Sequence, residues 1–88
     1  MSTIQQSFDS AQTKVKNLTK RPNDDELLHL YALFKQVTVG DINIPQPGMF
    51  SFKEKAKWNA WNSKKGMKKE TAMQSYIDYV GTLQKQYK

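Results

Sequence analysis

Apolar residues recur at the three- and four-residue spacing of an α-helix in four separate stretches of the chain. The first two stretches predict helices over residues 3–16 and 24–39, the second ending at Gly40. The third predicts a helix over residues 52–64, ended by Gly66, and the fourth a helix over residues 69–86. The pattern therefore predicts one all-α domain spanning residues 1–88, built as a bundle of four helices.

Side chains near the helix starts differ in how well they cap. Ser2 with Gln5, and Ser51 with Glu54, have the spacing of a capping box, and Asn23 is a good N-cap. Lys68 takes the N-cap position of the fourth helix, where its cation meets the positive end of the helix dipole and offers no acceptor. We expect the fourth helix to be poorly capped at its start.

The segment at residues 40–50 is rich in glycine, proline, aspartate and asparagine, which indicates a structured loop. Its length lets the chain cross the bundle between the second and third helices. Asp41 and Asn43 resemble a fragment of a calcium loop, but the rest of that pattern and its final glutamate are missing, so no metal site is expected. Gly81, inside the fourth helix, predicts a point of close helix packing.

The second helix is apolar over much of its circumference, and its residues divide into two stripes. Leu30, Leu33 and Val37 can pack into the core. The neighbouring stripe combines apolar, aromatic and cationic groups, and it requires a ligand or another helix: Leu27, Leu28, Tyr31, Phe34 and Lys35.

Charge is concentrated in the third quarter of the chain. Residues 51–69 contain seven lysines and one acid, a net +6 that equals the net charge of the whole protein. The chain has a single arginine, Arg21, and lysine is a compact point charge less suited than arginine to reading base edges. This balance favours binding of isolated phosphates.

Other chemistry is excluded by composition. Cysteine is absent, so disulfides, thiolate metal sites and cysteine nucleophiles are excluded. The single histidine, His29, is expected to be exposed, and no glycine-rich phosphate loop or catalytic motif occurs. With no transmembrane or secretory pattern in the sequence, we expect a soluble, cytoplasmic protein that is not an enzyme and carries no cofactor.

Cations and aromatic residues on three helices can converge in a bundle. Lys53 and Lys57 lie four residues apart, so both ammonium groups emerge on one face of the third helix. Tyr31, Phe34 and Lys35 on the second helix and Tyr76 on the fourth complete a set that suits a ligand with a phosphate, an aromatic ring and a hydrocarbon tail. Spacing alone equally allows the aromatic residues to be ordinary core and the lysines a solvated face.

Two other classes of function use the same features. A small nucleic-acid-binding module would use the basic segment, although arginine is scarce and Trp58 and Trp61 are better placed as core than as stacking platforms. A peripheral membrane binder would place lysines on anionic headgroups and aromatic residues at the interface.

Six blocks of the sequence form a recognisable pattern: residues 30–41 (LYALFKQVTVGD), 47–49 (PGM), 52–53 (FK), 55–61 (KAKWNAW), 72–73 (AM) and 76–77 (YI). Together they resemble the signature of the acyl-coenzyme A-binding protein family. The similarity extends from Phe8 to Tyr87. It implies an up-down-down-up four-helix bundle with a long loop between helices 2 and 3. It also implies a monomeric, cytoplasmic protein of fatty acid metabolism that binds, transports and pools long-chain fatty acyl-CoA, with transient contacts to acyl-CoA-using enzymes or membranes and none to nucleic acid.

The resemblance also implies roles for individual residues. Tyr31, Lys35 and Lys57 match positions that hold the ribose 3′-phosphate, and Phe34 matches an aromatic position against the adenine. The remaining matches are a supporting cation (Lys53), a tyrosine that closes on the ligand (Tyr76), a basic contact from the first helix (Lys16) and apolar positions along the acyl groove (Leu27 and Leu28).

The chain departs from the family pattern at four places. Phe34 stands where many members have tyrosine, and Val37 replaces a small alanine. Residues 44–46 replace a more polar loop segment, and residues 67–68 replace a small hydroxyl pair that caps the fourth helix. None of these changes removes a phosphate-binding lysine.

Overall fold

A computed structural model describes residues 3–87. They form four α-helices, α1 (Ile4–Lys16), α2 (Asp24–Thr38), α3 (Phe52–Asn62) and α4 (Lys69–Gln86), and no β-strand occurs within this range. The predicted all-α class is confirmed, and every predicted helix end lies within two residues of the observed one. Within the same range no helix is both long enough and apolar enough to cross a membrane.

The directions of α2 and α3 follow from side-chain contacts between them. Tyr31 of α2 lies beside Lys57 of α3, and one turn later Lys35 lies beside Trp61. Since both sequences advance together, the two helices run parallel. The long loop crosses the bundle as predicted, because parallel neighbours cannot be joined by a tight turn.

Helix α4 runs antiparallel to α2 and parallel to α1. Gln86, at the end of α4, donates to Glu26 at the start of α2 over 3.0 Å. The Phe8 ring near the start of α1 lies 5.0 Å from the Tyr76 ring, and Thr19 after α1 donates to the Tyr87 carbonyl over 2.8 Å. The topology is therefore up-down-down-up.

The core forms where α1, α2 and α4 meet. Helix α4 packs against both α1 and α2, whereas α3 packs against α2 alone. The molecule is accordingly flat, with extents of 42 × 28 × 14 Å. The buried cluster takes residues from these three helices and includes the predicted core stripe of α2: Phe8, Ala11, Leu30, Leu33, Val37, Ala72, Met73, Tyr76, Val80 and Leu83.

The cap of α1 lies one residue later than predicted. Thr3 is the N-cap: its hydroxyl accepts from the Gln6 amide N–H over 3.1 Å, and the Gln6 side chain accepts from the Thr3 N–H over 2.9 Å. Ser2 lies outside the described residues. The two neighbouring hydroxyl residues both satisfy the capping pattern, so the sequence fixes the cap only to within one position.

The second predicted capping box, Ser51 with Glu54, does not form. Ser51 is the N-cap of α3, but its side chain makes no capping hydrogen bond. Its backbone, at φ −94° and ψ 68°, lacks the extended conformation of the well-formed caps, and its N–H donates instead to the Gly48 carbonyl over 3.0 Å. The turn that delivers the chain to α3 therefore determines the conformation of Ser51.

Helix α2 begins with the predicted Asn23 cap, and this cap is linked to the end of α4. Asn23 and Glu26 exchange reciprocal capping hydrogen bonds of 2.9 Å. The buried Glu26 carboxylate also accepts from Gln86 and from the Tyr87 hydroxyl, and these hydrogen bonds, that of Tyr87 foremost, hold the pKa of Glu26 below its ordinary value. A single carboxylate thus joins a helix start to the distant end of the chain.

Asp41 joins the two loops that flank α3. Its carboxylate accepts from the Gly66 N–H over 2.8 Å and from the Gln36 side chain over 2.9 Å, and these two hydrogen bonds lower the pKa of Asp41. Gly40 (φ 98°) and Gly66 (φ 89°) adopt the left-handed backbone conformation that glycine tolerates. Asp41 therefore acts as a structural acceptor, and the turn at Gly66 follows the end of α3 as predicted, with the last helical residue, Asn62, two positions earlier than expected.

Both tryptophans donate hydrogen bonds to the long loop, but only one of them is fully buried. Trp61 is 2% exposed and its indole N–H donates to the Gly40 carbonyl over 2.8 Å. Trp58, also predicted as core, is half-buried and donates to the Ile44 carbonyl over 2.9 Å. Because α3 contacts α2 alone, its circumference offers too little cover to bury both indoles.

The start of α4 is capped as poorly as predicted. Lys68 has the extended backbone of an N-cap but makes no side-chain capping hydrogen bond. We expect Lys68→Ser to raise the free energy of unfolding by ~0.5 to 2 kcal/mol, because the serine hydroxyl can accept from an orphan amide. Thermal melts should compare it with Lys69→Ser, which makes the same charge change one residue away from the cap. A melting temperature no higher than that of Lys69→Ser would contradict the prediction.

Gly81 does not mark a close helix contact, contrary to the sequence prediction. A Cβ atom placed there meets nothing within 4 Å. We therefore expect Gly81→Ala to raise the free energy of unfolding by about 0.5 to 1 kcal/mol, since alanine restricts the unfolded chain without a clash. Chemical denaturation measures this change, with Gly40→Ala at φ 98° as a control that should destabilise. A Gly81→Ala protein less stable than the parent is the result that would refute this expectation.

Candidate functional site: a cleft between α2 and α3

An open cleft of about 470 Å³ runs between the parallel helices α2 and α3. It exists because α3 packs against α2 alone, so no third helix covers the groove between them. Small-molecule sites commonly fall within ~300 to 1,000 Å³. Eight residues line it, five from α2 or the segment before it and three from α3: Arg21, Asp24, Leu27, Leu28, Tyr31, Lys53, Ala56 and Lys57.

Two cation–aromatic pairs connect α2 and α3. In one pair the lysine belongs to α3 and the aromatic ring to α2, and in the other the lysine belongs to α2 and the ring to α3. The Lys57 ammonium of α3 lies 5.7 Å from the centre of the Tyr31 ring of α2. The Lys35 ammonium of α2 lies 5.0 Å from the centre of the Trp61 ring of α3. A cation near an aromatic face is attracted by the ring quadrupole, which fixes where each flexible lysine places its charge. The structure thus brings Lys57 to Tyr31, whereas Lys35 lies against Trp61 one turn further along and does not line the cleft itself.

The cleft lysines carry positive charge that the protein does not neutralise locally. Within residues 3–87 the one salt bridge joins Arg21 to Asp24 over 3.6 Å, and both side chains are exposed. Lys53 and Lys57, which line the cleft, and Lys35, which lies beside it on α2, therefore have no carboxylate partner among the described residues. Ammonium groups without a counter-charge favour an anionic ligand, above all one with several oxygens.

The apolar residues of the cleft come mainly from α2. Leu27 and Leu28 are half-buried along α2, and Ala56 lies across from them on α3. Sequence reasoning identified the two leucines but not Ala56, Asp24 or Arg21. Helical spacing could have found two of these, because Ala56 lies between Lys53 and Lys57 and Asp24 is one turn before Leu28.

Phe34 and Tyr76 lie against a common neighbour. The Phe8 ring is 6.2 Å from Phe34, nearly parallel to it, and 5.0 Å from Tyr76, edge to face. Phe34 is half-buried, so part of its ring stays accessible, but it packs against the core and does not line the cleft. Tyr76 is 6% exposed and does not line the cleft, and burial raises its pKa. A ligand contact for Tyr76 stays a prediction.

Lys16 is placed apart from the cleft residues. It is exposed in the last turn of α1, a helix that packs mainly against α4, and it does not line the cleft. The structure does not bring it to Lys35 or Lys57. Its proposed role as a basic ligand contact likewise stays a prediction.

His29 is not the exposed side chain that the sequence predicts. It is half-buried on α2, and its ring centre lies 4.4 Å from that of Tyr79 on α4. Burial and, second, the charge of Lys64 lower its pKa. The prediction failed because the α2–α4 contact covers more of α2 than the core stripe alone. Its ring packs between helices, and it does not line the cleft.

Comparison with known proteins identifies the chain's relatives. The family model described as acyl CoA binding protein matches residues 5–80. The acyl-CoA-binding protein homolog of Drosophila melanogaster is 52% identical over 84 residues, covering 96% of this chain and 98% of the relative. The acyl-CoA-binding protein homolog 1 of Caenorhabditis elegans is 53% identical over 81 residues, covering 92% and 94%.

A solved structure agrees with these relatives. The crystal structure of Oryza sativa acyl-CoA-binding protein 2 superposes with a TM-score of 0.89 at 37% identity, covering 96% of this chain and 93% of that one. A likeness of this extent in sequence and in fold, over nearly the full length of both chains, is not confined to one motif. The chain belongs to the acyl-CoA-binding protein family.

Proposed function

We propose that this protein binds one long-chain fatty acyl-CoA in the cleft between α2 and α3 and serves as an intracellular carrier and pool of that thioester. The observation that carries the proposal is the pair of crossed cation–aromatic contacts, Lys35 with Trp61 and Lys57 with Tyr31. They place two ammonium groups from two helices beside a cleft that is apolar along one wall. Membership of the family supports the ligand class.

The anionic head of the ligand is assigned to the cationic part of the cleft. Lys35, Lys57 and the Tyr31 hydroxyl hold the ribose 3′-phosphate, and Lys53 supplies a supporting cation. Each charge-assisted hydrogen bond contributes about 1.5 to 3 kcal/mol, so two or three suffice to orient the nucleotide. The accessible part of the Phe34 ring is available to the adenine, with stacking retained although this residue lacks the hydroxyl of the usual tyrosine.

The acyl tail is assigned to the wall formed by Leu27 and Leu28. These residues are half-buried in the free protein, so a hydrocarbon chain laid against them removes further apolar surface from water. Each buried methylene contributes about 0.8 kcal/mol. The tail therefore supplies affinity, and the phosphate contacts supply orientation.

The proposed role is binding and transport without catalysis. The cleft lining contains lysines, one arginine and one aspartate, and that aspartate is engaged with Arg21. The lining contains no serine, threonine, cysteine or histidine to form a nucleophile–base pair, and the single histidine of the chain packs against Tyr79 on α4. Contacts with enzymes that use acyl-CoA would then be transient exchanges of the ligand.

Tryptophan emission provides a direct test. Trp61 lies beneath Lys35, so a ligand phosphate bound to this ammonium should change its emission. We expect palmitoyl-CoA to give a saturable one-to-one titration and single-stranded DNA of matched charge to give none at physiological salt. Equal responses to both ligands, lost together as salt is raised, would instead favour a nucleic-acid-binding module.

A further inference from the structure

Four lysines lie within six residues at the turn that joins α3 to α4. This basic turn, residues 64–69, contains no acid and holds four of the seven lysines of residues 51–69: Lys64, Lys65, Lys68 and Lys69. Lys64 is half-buried and the other three are exposed. Helix α3 is about 16 Å long, and the basic turn lies at its opposite end from Lys53. None of the residues of the turn lines the α2–α3 cleft.

Hydrogen bonds from two other parts of the chain hold the backbone of the basic turn. The Gly66 N–H donates to the Asp41 carboxylate over 2.8 Å, and the buried Gln36 side chain donates to the Met67 carbonyl over 2.9 Å. Within the turn, the Met67 N–H donates to the Lys64 carbonyl over 3.0 Å. Met67 itself is half-buried against the core. The lysines therefore extend from an ordered backbone, which reduces the conformational entropy lost when a partner binds.

The protein does not neutralise the charge of the basic turn itself. Within residues 3–87 none of its lysines forms a salt bridge. The Asp41 carboxylate, which contacts the turn, accepts from the Gly66 N–H and from the Gln36 side chain. Lys68 stands at the N-cap of α4, where a cation is unfavourable for the helix dipole. Folding stability therefore does not account for this charge, and a position that departs from the local rules of stability is a candidate for function.

The chemistry of the basic turn discriminates between classes of anionic partner. Interfacial membrane binding combines basic with exposed apolar side chains, and among the described residues no large apolar side chain is exposed within residues 63–71. Binding of single-stranded nucleic acid uses aromatic stacking platforms, but Trp61, just before the turn, is buried. Lysine ammonium groups without apolar or aromatic neighbours are compact point charges, which are complementary to carboxylates. The turn therefore favours an acidic polypeptide.

We propose that the basic turn is a docking surface for an acidic protein segment, rich in aspartate and glutamate. The exposed ammonium groups of Lys65, Lys68 and Lys69 pair with carboxylates of that segment. Complementary charge across an interface accelerates association and provides specificity more than it adds affinity. The surface therefore suits a short-lived complex, and the α2–α3 cleft stays open in it because no residue of the turn lines the cleft.

Fluorescence anisotropy tests the proposal with the full chain and a fluorescein-labelled dodecapeptide in which glutamate alternates with serine. The parent should bind this peptide and lose affinity as salt is raised, whereas a peptide with glutamine in place of glutamate should not bind. Lys65→Gln/Lys68→Gln should lower the affinity about fivefold, since each exposed ion pair is worth a factor of roughly two to three.

Lys14→Gln/Lys85→Gln is the matched control, because it makes the same charge change at exposed positions of α1 and of the end of α4. It should bind the peptide within about twofold of the parent. Lys68→Ser provides a second check. We expect this variant to be more stable than the parent and yet to bind the peptide about two- to threefold more weakly. Such a loss of affinity cannot come from unfolding.

Three results would each overturn the proposal. The first is a parent that binds the glutamate and glutamine peptides alike. The second is a Lys65→Gln/Lys68→Gln protein that binds the glutamate peptide as well as Lys14→Gln/Lys85→Gln does. The third is a Lys65→Gln/Lys68→Gln protein that keeps the peptide but loses affinity for phosphatidylserine vesicles or single-stranded DNA, which would assign the basic turn to lipid or to nucleic acid.

This inference is separable from the proposed function. Lys65→Gln/Lys68→Gln should still titrate with palmitoyl-CoA like the parent, because neither substituted residue lines the cleft. A parent that binds the glutamate peptide through the basic turn but does not bind palmitoyl-CoA would refute the proposed function and leave the docking surface standing. The reverse outcome would refute the docking surface alone.

Discussion

Palmitate and coenzyme A should each bind at least about a hundredfold more weakly than palmitoyl-CoA, because each carries only half of the recognised chemistry. The tail contains about fourteen methylenes at about 0.8 kcal/mol each, on the order of 11 kcal/mol before the costs of association. The head adds two or three charge-assisted hydrogen bonds of about 1.5 to 3 kcal/mol each. A hundredfold change in Kd corresponds to about 2.7 kcal/mol, and loss of either part of the ligand removes more free energy than that.

Isothermal titration calorimetry with the three ligands at one salt concentration measures these affinities directly. Palmitoyl-CoA serves as the positive control for the same protein preparation. A series of shorter acyl-CoA ligands should weaken progressively as methylenes are removed, which separates the contribution of the tail from that of the head. Palmitate bound as tightly as palmitoyl-CoA would overturn the assignment of the lysine cluster to the ligand head.

Lys35→Ala and Lys57→Ala should each cost about 2 to 4 kcal/mol in affinity for palmitoyl-CoA, roughly 30- to 1,000-fold in Kd. Each substitution removes a cation that the structure holds over an aromatic ring of the facing helix, at 5.0 Å for Lys35 and 5.7 Å for Lys57. The same cation–π contact contributes only about 0.5 to 1 kcal/mol to folding at an exposed site. Affinity should therefore fall far more than stability.

Lys55→Ala is the matched control for this pair, since Lys55 lies on α3 and does not line the cleft. It makes the same charge change as both variants and lies on the same helix as Lys57, so it separates local phosphate binding from the general field of the basic segment. We expect its affinity to stay within about threefold of the parent, in line with the small effect of a screened, distant charge. Circular dichroism verifies that all three variants keep the parent helicity. If Lys35→Ala and Lys57→Ala titrate as the parent does, the phosphate is held elsewhere.

The helix ends most accurately predicted from sequence are those with local signals. Asn23 caps α2 as expected and Lys68 occupies the N-cap of α4, because a capping side chain or its lack is decided within one turn. The end of α3 lies two residues earlier than predicted, at Asn62, because the N–H groups of Lys64 and Lys65 make turn-type hydrogen bonds to the carbonyls three residues before them. Apolar periodicity does not report this change in hydrogen bonding.

The same limit applies to the candidate site: positions along one helix could be predicted from sequence, but contacts between helices could not. Spacing put Tyr31 and Lys35 on one stripe of α2, and Lys53 and Lys57 on one face of α3, but it left open whether these faced each other or water. The parallel packing of the two helices resolves this by setting Lys57 beside Tyr31. Periodicity also does not report how much of each helix its neighbours cover. Trp58 is consequently less buried than expected, and His29 more so.

The most direct measurement of the central claim is a structure of the complex with palmitoyl-CoA. The account predicts the 3′-phosphate within hydrogen-bonding distance of the ammonium groups of Lys35 and Lys57, with the acyl chain along Leu27 and Leu28. An adenosine moiety bound away from the α2–α3 cleft, with these lysines still facing water, would contradict it.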